Sequence, residues 1–107
     1  MRERTNLEVQ RERRQDPNIV IFRLSGKMIG TKECYEFLED VRDEVHAGHR
    51  IIVLNLEGLT KVSSPGIGIL AACYTSVTNA KGRICIVAVP DPVASMLKIV
   101  CLWDLLP

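Results

Sequence analysis

Neither positive nor negative charge is in excess in this sequence. Lysine and arginine number 14 against 13 aspartates and glutamates, a net charge of +1. Such a balance leaves no global field to draw the chain onto nucleic acid or acidic lipid. Long apolar runs are missing too, since none approaches the roughly 20 residues a membrane helix needs. The N-terminus has no apolar h-region, so no secretory signal peptide is expected. Cys34, Cys73, Cys85 and Cys101 form no CxxC pair, and none stands at ligand spacing from His46 or His49. Three of them fall within apolar runs and read as buried thiols in a reducing cytosol. The expectations are a cytoplasmic chain with no metal and no cofactor. There is no GxSxG elbow, no internal repeat and no low-complexity segment.

What is present fits one ordinary domain. The 107 residues, 47% hydrophobic and 25% charged, suffice for a core without staples. The domain is expected to span 1–107, with 1–17 a charged, solvated N-terminal strand or arm. Its basic residues Arg2, Arg4, Arg11, Arg13 and Arg14 are interleaved with Glu3, Glu8 and Glu12 and are expected to self-neutralise. Leu7 to Gln10 alternates as an edge strand would. Asp16-Pro17-Asn18 is turn chemistry, and Ile19 to Leu24 is β-branched and apolar, ending at Ser25-Gly26.

Thr31 opens a predicted helix, in which Cys34, Phe37, Leu38, Val41 and Val45 recur at helical spacing. His46 sits in its last turn as a favourable cation, and Gly48 stops it. Ile51 to Leu56 reads as a central strand. Ser64-Pro65 opens a second helix, running to about Ala80 and closed at Gly82. Ile84 to Val89 is another strand, and Asp91-Pro92 starts a third helix reaching about Val100. Leu102 to Leu106 is a short apolar tail. The order implies an α/β fold: a small mixed, largely parallel β-sheet, joined by right-handed crossovers, with its helices mostly on one face.

The Ser63-Ser64-Pro65-Gly66 turn stands out because of the helix it opens. From Val62 to Ala80 there is no charged residue, whereas a surface helix ordinarily carries a polar stripe. Ser64 is placed as N-cap and Pro65 as the first helical residue. Ile67, Leu70, Tyr74 and Val77 would face the core. Ile69, Ala72, Cys73 and Ser76 would then form a neutral outer face suited to docking a protein. A phosphate on Ser64 would add about −1.5 to −2 charges at a helix N-terminus that tolerates them. A neutral partner surface would have to desolvate that charge. Lys61 is the nearby cation in sequence.

At these residues the chain resembles the STAS domain, the family of sulfate-transporter and anti-sigma-factor-antagonist domains. The segment Ile51 to Leu70 carries the likeness: an apolar strand, a short polar link, then Ser63-Ser64-Pro65-Gly66-Ile67 leading into a helix. Lys81-Gly82-Arg83-Ile84 and Pro92 to Leu106 resemble later family segments. The family often has aspartate where Ser63 stands and a small residue where Pro65 stands. The resemblance implies a regulatory domain, not an enzyme, that binds an anti-sigma factor or serine kinase. It implies Ser64 as phosphoacceptor, with Ser63 a second candidate, and a phosphatase that reverses the mark. Lys61, Ser63, Pro65, Gly66, Ile67, Ile69 and Cys73 would form the partner and anion site. A homo-oligomer stays open; no nucleic acid or membrane partner is expected.

Alternatives are a non-phosphorylated STAS scaffold or transporter-associated subunit and, more remotely, a nucleotide-binding domain, since Gly66-Ile67-Gly68-Ile69-Leu70-Ala71 matches GxGxxA. That fingerprint needs its first glycine at a strand end. Here about nine residues separate Leu56, the expected end, from Gly66.

Overall fold

The structure, a computed structural model, describes residues 7–15 and 18–91. The predicted turn at Asp16-Pro17, the third helix beyond Asp91 and the apolar tail lie outside the described residues. Four strands form one sheet in the order β1-β2-β3-β4: β1 Leu7–Gln15, β2 Asn18–Met28, β3 Ile51–Val62 and β4 Arg83–Val87. β1 and β2 are antiparallel, with Leu7 opposite Gly26 and Gln15 opposite Asn18. β2, β3 and β4 are parallel neighbours, crossed over by α1, Lys32–His46, and α2, Ser64–Asn79.

The alternation of side chains explains the layers. Val20, Phe22 and Leu24 of β2, Ile52, Leu54 and Leu56 of β3, and Ile84 of β4 are buried on one face. Against them pack Cys34, Phe37, Leu38, Val41 and Val45 of α1 and Ile67, Ile69, Leu70, Cys73 and Val77 of α2. Phe22 and Phe37 meet edge to face, with ring centroids 5.4 Å apart. The in-between residues Ile21, Ile51 and Val53 are only half-buried, so the central strands are fully covered on one side alone.

Several sequence expectations change. β1 runs five residues past Gln10, and its charges do not simply cancel along the strand. Arg11 and Arg13 reach Glu44 of α1, while Glu12 pairs with Arg14 and Arg23. β3 does not stop at Leu56. The polar link Glu57–Lys61 is itself strand, paired with the end of β2 through two register shifts, and Leu59 and Val62 return to the core. β2 likewise runs past Ser25-Gly26 to Met28. Finally, Gly82 is not the left-handed residue that ends α2. Lys81 is, at φ 64°. Gly82 is glycine because a Cβ there would lie 2.6 Å from the Arg50 carbonyl oxygen.

Candidate functional site

The turn between β3 and α2 does not stand alone. The Ser63 N–H donates to the Met28 carbonyl, 3.1 Å away, which ties the turn to the end of β2. Gly66 lies directly over the same carbonyl, where a Cβ would fall 2.0 Å from its oxygen. A Cβ on Gly30 would fall 2.7 Å from the Pro65 ring. The β2–α1 loop and the β3–α2 turn are therefore nested, and Gly30 and Gly66 are what let them nest. Residues 28–31 were absent from the sequence-derived site. Gly30 beside the Thr31 cap was the one available signal.

Helix α2 begins one residue earlier than the sequence suggested. Ser63 is the N-cap, with extended backbone at φ −102° and ψ 178°, and its carbonyl accepts the Ile67 N–H at 2.9 Å. Ser64 is then the first helical residue and Pro65 the second. Proline is tolerated there because its N–H would be among the four orphans of the first turn. The bond from Ser63 to Met28 explains the shift, since it holds Ser63 in line with β3. Neither serine makes a side-chain capping hydrogen bond. The Ser63 Oγ is closed off from solvent and has no hydrogen-bond partner. Ser64 is exposed. That contrast separates the two candidate acceptors.

The outward face of α2 is neutral, but its residues differ from those expected. Ser64, Pro65, Gly68, Thr75, Thr78 and Asn79 are exposed, with Ala71 and Ala72 half-buried. Gly66, Ile67, Ile69 and Cys73 are buried. Ile69 and Cys73 are thus corrected from contact surface to core: the apolar arc of α2 is wide enough to touch both the sheet and α1. Burial, which disfavours the thiolate, pushes the Cys73 thiol up to about 12 against the charge of Arg42. Ser76 turns toward α1, where its Oγ accepts from Arg42 Nε at 3.1 Å. Lys61 is exposed, and it is not the one cation nearby. Lys27 stands opposite it on β2.

The longer β3 also shortens the gap that argued against a dinucleotide fingerprint. Geometry supplies a different objection. Gly66 lies inside α2, and its missing side chain is filled by the Met28 carbonyl rather than left open to a phosphate. Among the described residues, no three His, Cys, Asp or Glu side chains are grouped to hold a metal ion. No described helix is long and apolar enough to cross a membrane.

Comparison with known proteins places this geometry. The fold superposes on an anti-sigma factor antagonist from Mycobacterium paratuberculosis with a TM-score of 0.77 and 16% identity, covering 100% of this chain and 88% of that one. A putative anti-sigma factor antagonist from Thermotoga maritima gives 0.76 at 21% identity, covering 92% and 82%. The Bacillus cell fate determinant SpoIIAA in its phosphorylated form gives 0.73 at 17%, covering 94% and 89%. No curated protein matches the sequence. The model of the STAS domain matches residues 10–107. With the strand–turn–helix at Ser63–Gly66 built as described, the chain belongs to the STAS domain family.

Proposed function

We propose that residues 1–107 act as a single non-enzymatic regulatory domain of the anti-sigma-factor-antagonist kind. In this reading it binds an anti-sigma factor, itself a serine kinase or accompanied by one, and Ser64 is the phosphoacceptor that a phosphatase resets. One observation carries the proposal: Ser64 is exposed in the first turn of a helix whose whole outward face is uncharged. A dianion there is held locally by the N-terminal end of the helix dipole. The same dianion must lose its water when a neutral partner surface closes over Gly68, Ala72 and Thr75. The mark is thereby tolerated in the free domain and opposed in the complex, which is the differential a switch requires. That one structural neighbour, the Bacillus cell fate determinant SpoIIAA, has a phosphorylated form supports the choice of chemistry.

A second reading, the non-phosphorylated scaffold, is favoured by Pro65. It follows Ser64 directly and fixes the backbone where a kinase would draw the acceptor into an extended strand.

Purification of the tagged chain from its native host, with intact-mass measurement, identifies the partner and the phosphate occupancy. Affinities of Ser64→Ala and Ser64→Asp for that partner then decide. Ser64→Ala is expected to bind and Ser64→Asp to bind 5- to 150-fold more weakly, a coupling of about 1–3 kcal/mol. Equal affinities together with an unmodified mass would leave the scaffold reading standing.

A further inference from the structure

At the end of the sheet away from Ser64, the described core holds one buried charge, Glu44, at 2% exposure. Its Oε2 accepts Arg11 Nη1 at 2.8 Å and Arg13 Nη2 at 2.6 Å, and Arg13 Nε lies 3.1 Å from Oε1. Both arginines belong to β1. Leu7, Val9, Arg11 and Arg13 are alternate residues, so they share the helix-facing side of that strand. Leu7 is buried and Val9 packs on the core, which fastens the first half of β1 by apolar contact. Among the described residues the second half has none. It is held across to α1 by the two guanidiniums, and Arg11 also lies over the Phe22 ring, 5.8 Å from its centroid.

The end of α1 builds the socket. Gly48, at φ 103°, closes the helix, and the His49 N–H donates to the Glu44 carbonyl at 3.0 Å. That turn brings His49 Nδ1 to 3.1 Å from Glu44 Oε1, without hydrogen-bond alignment. The result is a cleft of about 570 Å³ with Glu44 at its base, walled by Arg11, Arg13, Asp40, Asp43 and His49. These are also the charged and titratable groups that face the carboxylate: two cations from β1, two carboxylates from α1 and one imidazole from the loop after it.

We propose that the second half of β1, Arg11–Gln15, is an ionic strap: it opens as a local unit when Glu44 loses its charge, while the first half of β1, β2, β3, β4 and both helices stay folded. On opening, the outer edge of β2 over Asn18–Phe22 is bared for pairing. The strap works because, once the carboxylate is neutral, the described contacts left to this half are its ladder to β2, the Arg11–Phe22 contact and exposed ion pairs, whereas the rest of the sheet rests on the buried cluster.

Hydrogen exchange with mass-spectrometric readout on the whole chain tests this, with rates corrected for their intrinsic pH dependence. In Glu44→Gln at pH 7, amides of Arg11–Gln15 should exchange at least tenfold faster than in wild type. Those of β3, β4 and α2 should stay within twofold, and the exposed control Glu12→Gln should leave β1 unchanged. Wild type taken from pH 7 to pH 3, since against burial the arginines hold the Glu44 carboxyl below 4.5, should lose Arg11–Gln15 protection selectively, and Glu44→Gln should lose no more. If Glu44→Gln does not fold, the wild-type pH series and Arg13→Met carry the same reading. Unchanged Arg11–Gln15 protection in these, or an equal loss in every element, would overturn the strap.

Discussion

Gly66 and Gly68 stand two residues apart in α2 and have opposite surroundings. A Cβ at 66 would fall 2.0 Å from the Met28 carbonyl oxygen, while a Cβ at 68 would meet nothing within 4 Å. Gly66→Ala must therefore push the helix start off the end of β2, at a cost of about 2–3 kcal/mol. Gly68→Ala replaces a poor helix former on an open face and should add about 1 kcal/mol. Urea midpoints of the two variants should move in opposite directions. If Gly66→Ala were neutral, the nesting of the two loops would not be what fixes Ser64. The same pair marks what a sequence can tell. GxG in a helix start is visible, but which glycine touches backbone depends on Met28, 38 positions away in the chain. Ser63 and Ser64 differ in the same manner, since only the bond from Ser63 to Met28 decides which one caps α2 and which one is exposed.

Whole elements were more legible than their ends. The helical spacing of α1, the cap at Thr31 and the stop at Gly48 follow from local chemistry, and so does the strand character of Ile51–Leu56. The continuation of β3 through Glu57–Lys61 was hidden because its sequence is polar; register shifts against β2, a long-range pairing, make it a strand. The assignment of Ile69 and Cys73 to an outer face failed for a related reason. A helix that touches both a sheet and a neighbouring helix buries more than one narrow stripe. The end of α2 offers a test at this scale. The Gly82 N–H donates to the Val77 carbonyl at 2.8 Å and the Lys81 N–H to that of Thr78 at 2.9 Å, the closing pattern that places a left-handed residue at 81. Nature has lysine there, at φ 64°. Lys81→Gly should relieve that conformation and stabilise by about 1 kcal/mol. Gly82→Ala should destabilise, because its Cβ meets the Arg50 carbonyl and the Val77 side chain. Thermal melts that rank the two the other way would place the strain at the wrong residue.

Across the molecule, the two ends of the sheet are built on different principles. The end bearing Ser64 is closed by backbone contact at Met28, with no ion pair among the described contacts of the turn. The opposite end is closed by an ionic knot that composition concealed, because Glu44 looks like one more acid on a charged helix and its arginines lie some 31 to 33 residues earlier in the chain. That asymmetry makes acid act on one end first. Burial alone would push the Glu44 carboxyl up from 4.5, but the hydrogen bonds and charge of Arg13, and then of Arg11, bring it below that value. A carboxyl depressed in the folded state contributes its full stability above the unfolded value. That contribution is lost as pH falls through the folded one. Breaking the pair costs less than the roughly 3–5 kcal/mol of a fully buried one, since the Arg11 and Arg13 side chains are 34% and 57% exposed. Glu44→Gln should therefore unfold more easily than wild type in urea at pH 7, by about 1–2 kcal/mol. The gap should close progressively as pH drops below about 4.5, because wild type alone still has this charge to lose. Glu12 is a fair control, since its pairing with Arg14 and Arg23 is solvent-exposed and Glu12→Gln should barely move the midpoint. A gap between wild type and Glu44→Gln that stayed constant from pH 7 to pH 3 would mean that Glu44 stabilises by packing and not by its charge.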